Sequence, residues 1–162
     1  LQAEILKVNQ PENLCLVTQT TLSVSDTEEI VLKLKEKFPM LQEPKSEDIC
    51  YATQNRQDAV KQLALESDLI LVVGSENSSN STRLKELAEN CGVKSFLVDD
   101  PEKISSINLE GVKTMGITAG ASAPEELVQQ MVSKCSTLGY KVNQEISGLK
   151  EEVFFKLPAE LR

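Results

Sequence analysis

Cys50 stands in the stretch Asp48-Ile49-Cys50-Tyr51-Ala52-Thr53-Gln54-Asn55-Arg56-Gln57, at the mouth of a predicted helix. The unpaired N–H groups of a helix start carry partial positive charge. A sulfur held there is favoured as a thiolate, which makes it a metal ligand or a nucleophile. The competing account is core filling, because cysteine is among the most buried residue types. Three polar turns accompany it. Ser75-Glu76-Asn77-Ser78-Ser79-Asn80-Ser81 offers hydroxyls, amides and backbone N–H groups at a helix entrance, which suits a diphosphate. N-capping needs only one Ser or Asn, so the loop holds more donors than a cap requires. In Ala119-Gly120-Ala121-Ser122-Ala123-Pro124-Glu125, Gly120 permits tight backbone geometry. Ser122 with Glu125 reads as a capping box that accounts for Ser122 without a ligand. Thr20 and Thr21 follow a predicted strand end, where a hydroxyl could reach a ligand, relay a proton or simply bond the turn.

These turns need elements to present them. Asp68 to Gly74 is the clearest strand, continuous and apolar, as a central parallel strand covered on both faces should be. Leu14 to Thr18, Lys94 to Val98 and Lys113 to Thr118 read as further strands, and Val142 to Ile146 and Val153 to Leu157 as short extended pieces. Leu1 to Val8 fits a helix end or a strand equally. Helices are predicted after the Ser25-Asp26-Thr27-Glu28 capping box, with a stripe of Ile30, Val31, Leu34 and Phe38. Others are predicted from Gln54 to Glu66, after Ser81 to near Gly92, and from about Glu125 to Leu138. Strand alternating with helix indicates an α/β fold with a mainly parallel sheet. Ligands of such sheets bind beyond the C-terminal strand ends, where the turns after Thr18, Gly74 and Thr118 would lie.

The 162 residues suit one ordinary domain. A net charge of -8 argues against a general nucleic-acid binder, but not against a diphosphate held by neutral donors. There is no histidine, hence no imidazole base or ligand. The four cysteines, Cys15, Cys50, Cys91 and Cys135, form no C-x-x-C pair and no self-contained metal motif. Cys15 and Cys135 lie in apolar patterns and read as core. With no signal segment, the thiols are expected to be reduced in the cytoplasm. The apolar run Leu69 to Val73 is too short for a membrane span.

The wording of Thr18-Gln19-Thr20-Thr21-Leu22-Ser23, Asp48 to Thr53, Asn55-Arg56-Gln57, Val72-Val73-Gly74-Ser75, Asn77 to Ser81 and Thr118 to Pro124, in this order, resembles the 4-hydroxy-3-methylbut-2-enyl diphosphate reductases, the LytB family. Val153-Phe154-Phe155-Lys156-Leu157-Pro158 continues the likeness. The resemblance implies an iron–sulfur reductase of isoprenoid biosynthesis, in the methylerythritol phosphate route. It would remove the hydroxyl of the allylic diphosphate substrate to give isopentenyl and dimethylallyl diphosphates. It implies a 4Fe-4S cluster held by three cysteines from three α/β lobes, and an electron donor such as ferredoxin or flavodoxin. Cys50 matches the last cluster cysteine. Ser78, Ser79, Asn80 and Ser122 match positions that grip the diphosphate. Thr20 matches a threonine beside the substrate hydroxyl. On this likeness, residues 1–47 are part of a middle lobe, 48–138 the third lobe and 139–162 a tail. The family's remaining cluster cysteines, histidines and catalytic glutamate lie upstream of the matching part, so the chain alone is expected to be inactive. A non-catalytic diphosphate-binding module is the alternative.

Overall fold

Leu69–Val73 is an unbroken apolar pentapeptide, and every one of its residues is buried. It forms β1, the centre of a three-stranded sheet in the computed structural model, which describes residues 2–43 and 49–146. Burial on both faces needs cover on both, and the side chains divide by parity. Leu69, Leu71 and Val73 pack with Val98, Ile104, Met131 and Cys135. Ile70 and Val72 pack with Val60, Leu84 and Ala88 on the other side.

The sheet order is β2–β1–β3, with β2 at Lys94–Val98 and β3 at Met115–Ala119. Both neighbours run parallel to β1, and Val73 pairs with Val98 on one side and Ala119 on the other. Helices follow in chain order: α1 at Gln2–Ile5, α2 at Val24–Lys37, α3 at Tyr51–Glu66, α4 at Ser79–Asn90 and α5 at Glu125–Thr137. α3 and α4 cover one face through Val60, Leu84 and Ala88. α5 covers the other through Met131 and Cys135, beside Ile104 of the 3-10 turn Pro101–Ser106. The expected α/β architecture with a parallel sheet is therefore present. From β1 the chain crosses to β2 on one side, then returns to place β3 on the other. The C-terminal ends of β1 and β3 thus flank a topological switch point, where open α/β sheets bind ligands.

Several local expectations change. Leu14 to Thr18 is not a strand but a single parallel bridge, Cys15 to Gln42. Leu16 N donates to the Gln42 carbonyl at 2.8 Å and Gln42 N to the Leu14 carbonyl at 2.9 Å. With no further strand beside it among the described residues, Cys15 is exposed and not core. α2 starts one residue before Ser25, because Thr27 N already bonds the Ser23 carbonyl at 3.0 Å, so Ser25 lies inside the helix and not at its cap. Within the stripe Phe38 is buried, but Ile30 is exposed. The undecided N-terminus holds the short α1, and 142–146 carries no strand. Val153 to Leu157 and Ser46 to Asp48 lie outside the described residues.

Candidate site at the sheet switch point

Two glycines end the two strands that border the switch point. Gly74 N donates to the Val98 carbonyl at 3.0 Å, and Gly120 N to the Val73 carbonyl at 2.9 Å. After Gly74 the chain turns through Ser75, whose Oγ accepts from Asn77 N at 3.2 Å. It reaches Ser78, the N-cap of α4, whose Oγ accepts from Ser81 N at 3.3 Å. After Gly120 a tight turn, with Ala123 N on the Gly120 carbonyl at 3.0 Å, presents Ser122.

Ser122 was expected to cap α5. Instead α5 begins at Glu125 with Pro124 at the cap position and no side-chain cap. The first helical bonds fall on the Pro124 carbonyl, from Leu127 N at 3.0 Å. The Ser122 hydroxyl is released toward the other loop, where its Oγ lies 3.5 Å from Ser78 Oγ. Ser78 and Ser122, 44 residues apart, thus face one another across the crevice.

Asn80 follows Ser78 in the first turn of α4. It is only 6% exposed, and neither Oδ1 nor Nδ2 has a hydrogen-bond partner among the described residues. A buried amide without partners costs free energy, and here it stands at a helix N-terminus that favours anions. The first turn of α4 contains no acidic residue. α5, by contrast, carries Glu125 and Glu126 in its first turn, and these already answer its positive end. Ser79 is exposed and lines a cleft of about 260 Å³ with Gln19, Thr21, Asn77 and Arg83 among its walls. Arg83 is bound to Glu86 at 2.7 Å. Nearby, Asp99 engages Lys103 at 2.5 Å. That hydrogen bond lowers the Asp99 carboxyl below its ordinary value and raises the Lys103 ammonium. The Ser78–Ser122 crevice thus presents two hydroxyls beside the α4 amides, while the neighbouring cleft along Ser79 also carries the carboxylates of Glu76 and Glu86.

Cys50 is the N-cap of α3, as its place before the helix implied, and it is half-buried. The first turn of α3 is also free of acidic residues. Cys50 N donates to the Thr20 carbonyl at 3.1 Å, which joins these two predicted residues. Two turns later Gln57, buried, donates Nε2 to the Leu22 carbonyl at 2.8 Å. The Gln19 to Leu22 turn is thereby fastened to the start of α3. The Thr20 side is exposed and is not a wall of the cleft, although its neighbours Gln19 and Thr21 are. Cys15 and Cys91 are exposed elsewhere, and burial pushes the Cys135 thiol up. Among the described residues no group of three or more His, Cys, Asp or Glu side chains is gathered to hold a metal. The residues present fit one ligand of an iron–sulfur cluster and not a whole cluster site.

Two features escaped the sequence reading. One is Gln57 as the anchor of the Thr20 turn. The other is Ser81, whose side chain lies against Gly74 and Gly120. The available signal was a glycine closing one predicted strand and another two residues past the end of a second.

The sequence model of the LytB protein family matches residues 2–136. The chain is 54% identical over 157 residues to the 4-hydroxy-3-methylbut-2-enyl diphosphate reductase of Aeromonas salmonicida, covering 97% of this chain and 50% of that protein. It is 56% identical, over the same shares, to the enzyme of that name from Haemophilus influenzae. Among solved structures, the E-1-hydroxy-2-methyl-but-2-enyl-4-diphosphate reductase from Plasmodium falciparum superposes with a TM-score of 0.73 at 40% identity, over 78% of this chain and 41% of its own. A second structure, of (E)-4-hydroxy-3-methyl-but-2-enyl diphosphate reductase, gives a TM-score of 0.53 at 30% identity, over 76% of this chain and 43% of its own. The chain spans about half the length of the curated relatives it matches. With its parallel sheet, its switch-point crevice and a family match over most of its length, the chain belongs to the LytB protein family.

Proposed function

We propose that this chain is the diphosphate-gripping part of a 4-hydroxy-3-methylbut-2-enyl diphosphate reductase, an oxidoreductase of isoprenoid biosynthesis. The observation that carries the reading is Asn80, a buried amide at the N-terminus of α4 with both polar atoms unpartnered among the described residues. A diphosphate oxygen would supply the partner it lacks. Ser78 and Ser122 offer hydroxyls from the two facing loops, and Ser79 offers one from the exposed side of the helix entrance. Thr20 would bring its hydroxyl to the reacting end of the allylic diphosphate, beside Cys50, whose backbone it already meets. Cys50 would be one of three cysteine ligands of a 4Fe-4S cluster.

On this reading the lobes divide as 1–47, 48–138 and a tail at 139–162. The other cluster ligands and the proton donor come from the remainder of the longer enzyme, and electrons from a donor such as ferredoxin or flavodoxin. No helix among the described residues is long and apolar enough to cross a membrane, which agrees with a cytoplasmic biosynthetic enzyme. The chain alone should bind substrate without turning it over. A second reading, a diphosphate-binding module without catalysis, is favoured by the contrast between a well-furnished anion crevice and a single placed thiol.

Calorimetric titration with 4-hydroxy-3-methylbut-2-enyl diphosphate and with the diphosphate-free alcohol tests the grip. The diphosphate should bind and the alcohol should not; equal affinity for both would refute it. Iron and sulfide analysis of the chain, purified anaerobically with the N-terminal remainder of a relative, separates the two readings. Iron that is lost in Cys50→Ser supports the reductase; no iron in either form supports the binding module.

A further inference from the structure

Ser81 is fully buried, and its Oγ has no hydrogen-bond partner among the described residues. Its surroundings are unusual for a hydroxyl. A Cβ built on Gly74 would stand 2.3 Å from Ser81 Oγ and 2.9 Å from its Cβ. One built on Gly120 would stand 2.1 Å from the same Oγ and 3.2 Å from the same Cβ. Both glycines thus back onto one hydroxymethyl group, which occupies the space their side chains would need. Ser81 also donates its backbone N–H to Ser78 Oγ at 3.3 Å. One residue therefore touches both loops of the crevice: the Ser78 side through its own amide, and the Ser122 side through Gly120.

We propose that Ser81 is a positioning residue whose hydroxymethyl sets the separation of the Gly74–Ser78 and Gly120–Ser122 loops, and so fits the crevice to a diphosphate over a single phosphate. This rests on the diphosphate reading of the site. A single phosphate can be satisfied by the α4 amides and one loop, whereas a diphosphate must reach both Ser78 and Ser122. Only the larger anion is then sensitive to loop spacing. Ser81→Thr adds a methyl between two glycines that have no room for it, and Ser81→Ala removes the oxygen both rest on. The shift of a contact by a few tenths of an ångström weakens charge-assisted hydrogen bonds at their distance limit.

The test uses the full chain with inorganic pyrophosphate and inorganic phosphate as probes, with amide chemical shifts of Ser78 and Ser122 recorded beside the titrations. The expected result is that Ser81→Thr moves both amides and loses pyrophosphate affinity about tenfold, the worth of one charged hydrogen bond, with phosphate affinity little changed. Ser81→Ala should fold at least as stably as the parent and show a smaller loss of the same kind. Should Ser81→Thr fail to fold, a paired exchange serves instead. Gly120→Ala alone should lose pyrophosphate, and Gly120→Ala with Ser81→Gly, which moves the bulk to the other side of the contact, should regain it. Folded Ser81 variants with unmoved amides and an unchanged pyrophosphate-to-phosphate ratio would overturn the proposal. A parent chain that binds neither anion would overturn the diphosphate reading and the selectivity built on it. Moved amides in Ser81→Thr would then still establish the spacing role.

Discussion

Asn80 is where binding and stability should oppose one another. Its side chain is buried, and both amide atoms lack partners among the described residues. Each buried unsatisfied polar atom costs on the order of 1–3 kcal/mol. Asn80→Ala removes both atoms and gains a few tenths of a kcal/mol of helix propensity. Against this stands the small void left by the amide, so the balance is a gain of about 1–2 kcal/mol. For a chain of this size 1 kcal/mol corresponds to about 2–4 °C in Tm, and the variant should melt some degrees above the parent. Pyrophosphate reverses the order. A ligand at a hundred times its Kd stabilises the native state by about 2.7 kcal/mol, and the parent should show this while Asn80→Ala should not. The assay is thermal unfolding of both proteins with and without saturating pyrophosphate. An Asn80→Ala variant that melts lower than the parent, yet is raised as far by pyrophosphate, would refute the reasoning: the amide would then be a structural group and not a ligand group.

Two further predictions concern the supports of the site. The Asp68 carboxylate accepts from Thr114 N at 2.8 Å and from Lys113 N at 2.9 Å, and these backbone bonds, Thr114 first, hold its pKa below the ordinary value. Its folded pKa lies below its unfolded one, so its contribution is present above the unfolded pKa and lost as pH falls through the folded pKa. Asp68→Asn should therefore be less stable than the parent at neutral pH, with the gap closing below about pH 4; a urea series over pH showing a constant gap would count against it. Gln57→Met keeps the volume but withdraws the donor from the Leu22 carbonyl, which should cost about 1–3 kcal/mol and speed hydrogen exchange at the Cys50 amide. Unchanged exchange there would show that the Thr20 turn does not depend on α3.

β1 was legible in the sequence because its two faces are both covered, which leaves a continuous apolar run with no polar interruption. Leu14 to Thr18 has similar residue types, yet it makes only the Cys15–Gln42 bridge, and Val17 is 75% exposed. Strand preference reports a fit to a half-buried pleated surface and depends on neighbours that a local window does not contain. The same limit explains Ser122. The Ser-x-x-Glu pattern is present, but Pro124 takes the cap position and turns Ser122 toward Ser78. The surplus of donors around Ser78 to Ser81 was visible because it exceeds what one cap requires. The contact of Ser81 with Gly74 and Gly120 was not, since it joins residues that only the parallel pairing of β1 and β3 brings together.

The candidate residues are held by different means, and the difference orders their dependence. Ser78 and Ser122 follow directly from strands that are paired residue by residue to β1 or lie within it. Cys50 is one step removed: it caps α3, which packs onto the sheet through Val60 against Ile70 and Val72. Thr20 is two steps removed, because its turn is fastened to α3 by the Cys50 amide and the Gln57 side chain. The segment that leads into that turn makes the Cys15–Gln42 bridge. Sub-global opening follows the least buried contacts first, so the order of loss runs from Thr20 to Cys50 to the anion crevice. On the proposed reading, an anion between β1 and β3 would meet the Ser78 and Ser122 hydroxyls on loops held by paired strands, which would lower the cost of binding. Cys50 is held both by α3, which it caps, and by its amide on the Thr20 carbonyl.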